Sequence, residues 1–211
     1  MARAQRQVTQ ASALVEFYLG RGRTPQGHCL EEIWSFSTEQ LESVHDYIQW
    51  LFPTRSPSRF QPLAPILDEA TVKQFRHTES LQQAVLRSLE VMLHFFGLAL
   101  QRCEVAPTVS EDPRGQARRR AWQSPGNHNL LRLTRMIDSL HSLGLERYAL
   151  SLYLYLEAAH RKHSQRIPYS SLVLWRKAAG LTDEPPRAAG LWERWKARFT
   201  PREESEPRGE N

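Results

Sequence analysis

The residues with the most chemistry to offer lie between Pro113 and Ile137, where Arg114, Arg118, Arg119, Arg120, Arg132 and Arg135 meet no acidic residue. A local field that positive collects anions. Within it the SPGNHN turn at 124–129 runs into an apolar-periodic segment. The turn therefore offers a helix N-terminus, whose free amides and positive dipole end suit a carboxylate or phosphate. Asn127 is the expected N-cap, leaving the His128 and Asn129 amides open. His128, Arg132, Arg135 and Ser139 follow at spacings of 4, 3 and 4, opposite Leu130, Leu133 and Ile137, and predict one outward polar stripe. Two readings fit it: a solvated helix face, or an anion or peptide-carboxylate site made by Asn127, His128, Asn129, Arg132 and Arg135.

A second cluster is HDYIQWLFP at 45–53. Burying Ile48, Leu51 and Phe52 would contribute about 1.5 to 3 kcal/mol each, which accounts for them without a ligand. Tyr47 and Trp50 lie to the side and have a further use, as amphipathic walls of a peptide-binding groove. Other chemistry is thinner. His160 and His163 are two histidines without a third ligand, and no HExxH, GxGxxG, Walker loop or GxSxG occurs, so neither metal nor cofactor is expected. The acidic couples Glu31/Glu32, Asp68/Glu69 and Glu203/Glu204 are adjacent residues that point apart or lie in a tail, and paired-carboxylate catalysis has no basis. The chain reads as a binding protein, not an enzyme.

The elements that must position these residues follow from length and periodicity. At 211 residues and 24.5 kDa the chain suits one well-buried core. Its formal charge of +5 favours acidic partners without demanding them. Cys29 and Cys103, far apart and outside any CxxC, are expected as small buried hydrophobes in a reducing compartment. No signal-peptide stretch opens the chain, and its longest apolar run, Val91 to Leu100, is about half a membrane span, so a soluble intracellular (cytoplasmic) protein is expected. Helices are predicted at 12–19, at Leu30 to Trp34, and from a Ser37/Gln40 capping box through Leu41, Val44, Ile48, Leu51 and Phe52 to Pro53. A Pro-rich ordered loop at 53–65 should be anchored by Phe60 and Leu63. Asp68 caps the next helix, and Thr78 opens a core helix running down Leu81, Val85, Leu89, Met92, Leu93 and Phe96 to Gly97. Residues 104–126 read as a long mobile loop, and helices at 128–143, 145–163 and 168–179 close the domain. The expected fold is all-α, with about seven helices in one domain at 12–180, after a flexible segment at 1–11 and before a tail at 181–211. In that tail Leu191, Trp192, Trp195 and Phe199 share one face beside basic residues, the look of a helix that docks on a membrane surface or a partner groove, or folds back on its own domain.

HDYIQWLFP at 45–53, FQPLAPIL at 60–67, SPGNHNLLRLTRMIDSLHSLGLE at 124–146 and the Leu-Trp-Arg segment at 174–176 resemble the conserved domain of the opioid growth factor receptor family. The resemblance covers roughly Leu14 to Ala179. It implies a helical receptor domain unrelated to seven-helix opioid receptors, an intracellular place at the nuclear envelope or in the nucleus, Met-enkephalin as ligand, and a role in restraining growth. A nucleic-acid or phosphate-binding module using the 113–137 arginines is the alternative.

Overall fold

The computed structural model describes residues 13–58, 61–103 and 106–181. Helical residues 13–18 (α1) precede α2 (Leu30–Trp34), α3 (Thr38–Ser43), α4 (Ile48–Leu51), α5 (Glu69–His77) and α6 (Glu79–Phe95). The antiparallel pair β1 (Leu98–Gln101) and β2 (Thr108–Glu111) follows, then α7 (Gln116–Trp122), α8 (Asn129–Ser142), α9 (Glu146–Lys162) and α10 (Tyr169–Ala178). The domain is helical, with one small sheet.

Local chemistry sets most of the boundaries. Ser37 and Gln40 exchange hydrogen bonds at the start of α3, the Gln40 amide to Ser37 Oγ at 3.2 Å and the Ser37 amide to Gln40 Oε1 at 2.8 Å. Asp68 Oδ1 accepts the Thr71 amide at 2.7 Å and starts α5. Along α6, Leu81, Val85, Leu89, Met92 and Leu93 are fully buried, as is Phe96 at its end. Gly97 then takes a left-handed φ of +75° and releases the chain. There its backbone touches that of Gly115: a Cβ on Gly115 would lie 2.4 Å from the Gly97 oxygen. The sheet pairs Leu98 with Glu111 and Gln101 with Thr108, and buries Leu98 and Val109. Helices α8, α9 and α10 pack on one another through short joins. A single core runs from Leu14 in α1 to Ala179 after α10. No described helix is long and apolar enough to cross a membrane.

Several expectations are corrected. The helix predicted from Thr38 through Phe52 is two, because Val44 is extended (φ −81°, ψ 129°) and α4 starts afresh at Ile48. Residues 104–126 are no loop: among those described they form β2 and α7, and Arg119 in α7 is only 8% exposed. Leu63 is 57% exposed and anchors nothing. Buried Ala64 and Leu67, with a bridge between Thr54 and Ile66, hold that loop instead. Phe60 lies outside the described residues. The two cysteines form no disulfide, but Cys103 is exposed and Cys29 half-buried. The tail residues Leu191, Trp192, Trp195 and Phe199 also lie outside the described residues.

Candidate functional site

The arginine stripe does not face outward. Arg132 is buried, and its guanidinium reaches back to the end of α3, donating to the carbonyls of Leu41 at 2.7 Å, Val44 at 3.1 Å and Glu42 at 3.4 Å. Tyr47, itself fully buried, donates its hydroxyl to the same Leu41 carbonyl at 2.7 Å and lies under the Arg132 guanidinium. Arg135 donates to the Phe52 carbonyl at 3.1 Å and to Thr54 Oγ1 at 3.3 Å, where burial lowers its pKa. Arg119 closes the end of α6, donating to the Gly97 and Asp112 carbonyls and pairing with Glu111 at 2.9 Å; Arg118 pairs with Asp112 at 2.6 Å. Four of the six arginines are thus engaged by this chain, two by carboxylates close to them in sequence and three by carbonyls at helix ends, where the macrodipole is negative. Arg114 and Arg120 stay exposed.

The 124–129 turn is similarly occupied. The N-cap of α8 is His128, not the expected Asn127; Asn127 Oδ1 accepts the Asn129 amide at 2.9 Å, so that amide is not open. Asn129 is buried, its amide nitrogen donating to Glu42 Oε2 at 3.0 Å. His128 remains exposed, its Nε2 3.4 Å from Glu42 Oε1 and its ring 5.5 Å from that of His45. Burial first, and then the Arg132 and His45 charges, hold its pKa below the ordinary imidazole value against the pull of Glu42. Trp50 is 6% exposed and packs edge-on against Phe17 at 5.3 Å. Tyr47 and Trp50 are therefore core residues here, and line no open groove.

An open cleft does exist, between the start of α3 and the outer face of α6. It holds about 510 Å³, within the range of roughly 300 to 1,000 Å³ usual for small-ligand sites. Leu41 and Phe95, both buried, form its floor with Val91; Trp34 and Phe36 form a wall; Arg87, Glu90 and His94 stand on the rim. The Trp34 indole is fixed by donating to Ser88 Oγ at 2.9 Å, and the Arg87 guanidinium lies 4.9 Å from its ring centroid. Arg87 is exposed and makes no ion pair with a described carboxylate. Glu90, one turn away, pairs with Arg102 at 2.6 Å. Sequence reasoning missed these residues. The available signal was Arg87, Glu90, Val91 and His94 at i, i+3, i+4 and i+7, a mixed stripe beside the apolar one. Among the described residues no group of His, Cys, Asp and Glu is placed to hold a metal ion.

Residues 7–179 match the family described as the opioid growth factor receptor (OGFr) conserved region. The human opioid growth factor receptor is 36% identical over 129 residues, covering 59% of this chain and 18% of that protein. The mouse receptor is 35% identical over 127 residues (59% and 20%), and opioid growth factor receptor-like protein 1 of Xenopus tropicalis 35% over 127 residues (59% and 24%). The match thus spans about a fifth of the length of these relatives. No solved structure matches. The chain belongs to the opioid growth factor receptor family, whose conserved region makes up most of it.

Proposed function

We propose that the domain is a non-enzymatic peptide receptor that holds a short peptide in the α3–α6 cleft, with its carboxylate on Arg87. The observation that carries this is an exposed guanidinium over Trp34, in no ion pair with a described carboxylate, at the edge of an apolar floor. A stacked guanidinium is oriented in advance, so less freedom is lost when a carboxylate pairs with it. The floor of Leu41, Val91 and Phe95 suits an apolar side chain. The relatives are named opioid growth factor receptors, and Met-enkephalin, the ligand the family resemblance implies, is the peptide to try first. Two cysteines that form no disulfide, one of them exposed, suit a reducing cell interior. The nucleic-acid alternative draws less support, because the 113–137 cluster leaves only Arg114 and Arg120 open where duplex binding takes several phosphate contacts.

Calorimetric titration tests the reading with Met-enkephalin and its C-terminal amide, on the full chain and on Arg87→Gln. Amidation or Arg87→Gln alone should weaken binding by roughly ten- to a hundredfold, the value of one charge-assisted pair. Combining them should add little, because both remove the same contact. Equal affinity for acid and amide, or no heat from either, would sink the proposal.

A further inference from the structure

Residues 158–182 contain five cations, Arg161, Lys162, Arg166, Arg176 and Lys177, and no acidic residue. They make up the last turn of α9, its join to α10, and α10 itself. Helix α10 turns Trp175 into the core, where its indole donates to the Leu130 carbonyl at 3.1 Å. Its other side leaves Tyr169 70%, Val173 45% and Leu174 43% exposed. These are three of the five large apolar side chains that stand open among the described residues, so the exposure is concentrated on one helix. Tyr169, Val173 and Lys177 repeat at i, i+4 and i+8 and lie on one line; Leu174 flanks it. The end of α9 meets this face, since the His160 and Tyr169 rings are 6.2 Å apart. Lys162, Arg166 and Lys177 are exposed, as is Arg161, which pairs with Glu157 at 3.7 Å.

We propose that this face of α10 docks the domain on a bilayer carrying anionic lipid. The apolar side chains would enter the headgroup boundary, where an amphipathic aromatic such as Tyr169 is well placed. The surrounding cations would meet lipid phosphates and carboxylates. Charge and shape both favour a membrane over a protein partner: a stable protein interface takes about 800 Å² per side, more than three side chains supply, whereas shallow insertion backed by several cations does not need that area. The surface is separate from the Arg87 cleft and does not depend on what the cleft binds.

Co-sedimentation of the full chain with phosphatidylcholine vesicles, with and without phosphatidylserine, tests the idea. Binding should require phosphatidylserine and weaken roughly fivefold for each of Arg166→Gln and Lys177→Gln. The double variant Val173→Asp/Leu174→Asp should lose at least tenfold while its melting curve stays that of the parent, because both positions are exposed. Unchanged vesicle binding by this double variant overturns the proposal. So does binding to duplex DNA as tight as to the vesicles and weakened equally by the double variant, which would mark a general polyanion surface. A second measurement places an environment-sensitive dye on Val173→Cys in a Cys29→Ser/Cys103→Ser background. A blue shift only when phosphatidylserine vesicles are added supports docking; a dye already shielded in buffer means that the face is covered by the chain's own tail or by a second copy, and overturns it.

Discussion

An arginine ends in a planar fork of five donors, and such a fork fits the carbonyls left over at a helix end as well as it fits a ligand carboxylate. Arg132 does the former: its acceptor on Leu41 lies 91 residues earlier in the chain, and Tyr47 shares that oxygen. Arg132→Ala is expected to cost about 3 kcal/mol or more, since charge-assisted bonds are lost and a buried carbonyl loses a donor. Arg132→Lys should recover only part of this, because an ammonium on a single stem cannot span three carbonyls. Urea unfolding of both variants measures the effect, and a loss below about 1 kcal/mol would show that the fork contributes little. Nothing near Arg132 in the sequence separates it from exposed Arg120, because what distinguishes them comes from distant backbone. His128 makes a second prediction at this scale. The unfolded chain takes up a proton there near pH 6.5, while the folded domain resists it, so stability should fall as pH drops below about 6.5 toward the folded pKa. His128→Gln should remove that part of the acid loss, which unfolding curves on either side of the window would reveal as a shallower pH dependence.

At the scale of elements, signals that act over three or four residues were readable and those that act across the fold were not. The Ser37/Gln40 box, the Asp68 cap and the glycine after α6 are local, and each sits where the sequence places it. The break between α3 and α4 is not local. The carbonyls of Leu41, Glu42 and Val44 turn to Arg132 instead of continuing a helix, though the apolar spacing through Phe52 runs on without a flaw. The 104–126 segment was misread for two reasons. Strands of four residues are too short to display alternation, and β1 carries the apolar run of α6 on past Gly97. Helix α7 buries only Trp122 and Arg119, so no apolar stripe marks it. That region closes on α6 through Gly97 and Gly115. Gly115 has φ −92°, which any residue adopts, so Gly115→Ala isolates the contact: its methyl would press on the Gly97 oxygen. The expected loss is about 1 to 3 kcal/mol, as for other overpacked sites. Faster hydrogen exchange at Asp112, whose amide donates to the Gly97 carbonyl at 3.0 Å, should accompany it; parent-like stability and exchange would mean that the two backbones part without cost.

For the whole molecule, the basic balance of +5 suggested an acidic partner for the arginine-rich centre, yet much of that charge neutralises helix ends within the domain. The surfaces left over are elsewhere. The cleft forms where residues 34–41 meet residues 87–95, and α10 shows its apolar side only because Trp175 claims the other one. Neither could be read from one segment, since each reads as an ordinary amphipathic helix until its neighbour is in place. The core itself closes early: Trp175 is fully buried, Ala179 nearly so, and Leu181 packs against it. A chain ending after residue 182 therefore retains every described core contact. Its melting temperature is expected within about 2 °C of the full chain's, where losing even 1 kcal/mol would move a domain of this size by roughly 2 to 4 °C. Differential scanning calorimetry of the two chains decides the matter. A drop well beyond that range would mean that Leu191, Trp192, Trp195 and Phe199 pack on the domain as part of its core, and the most natural place for them would be the open side of α10, leaving it unavailable to a membrane.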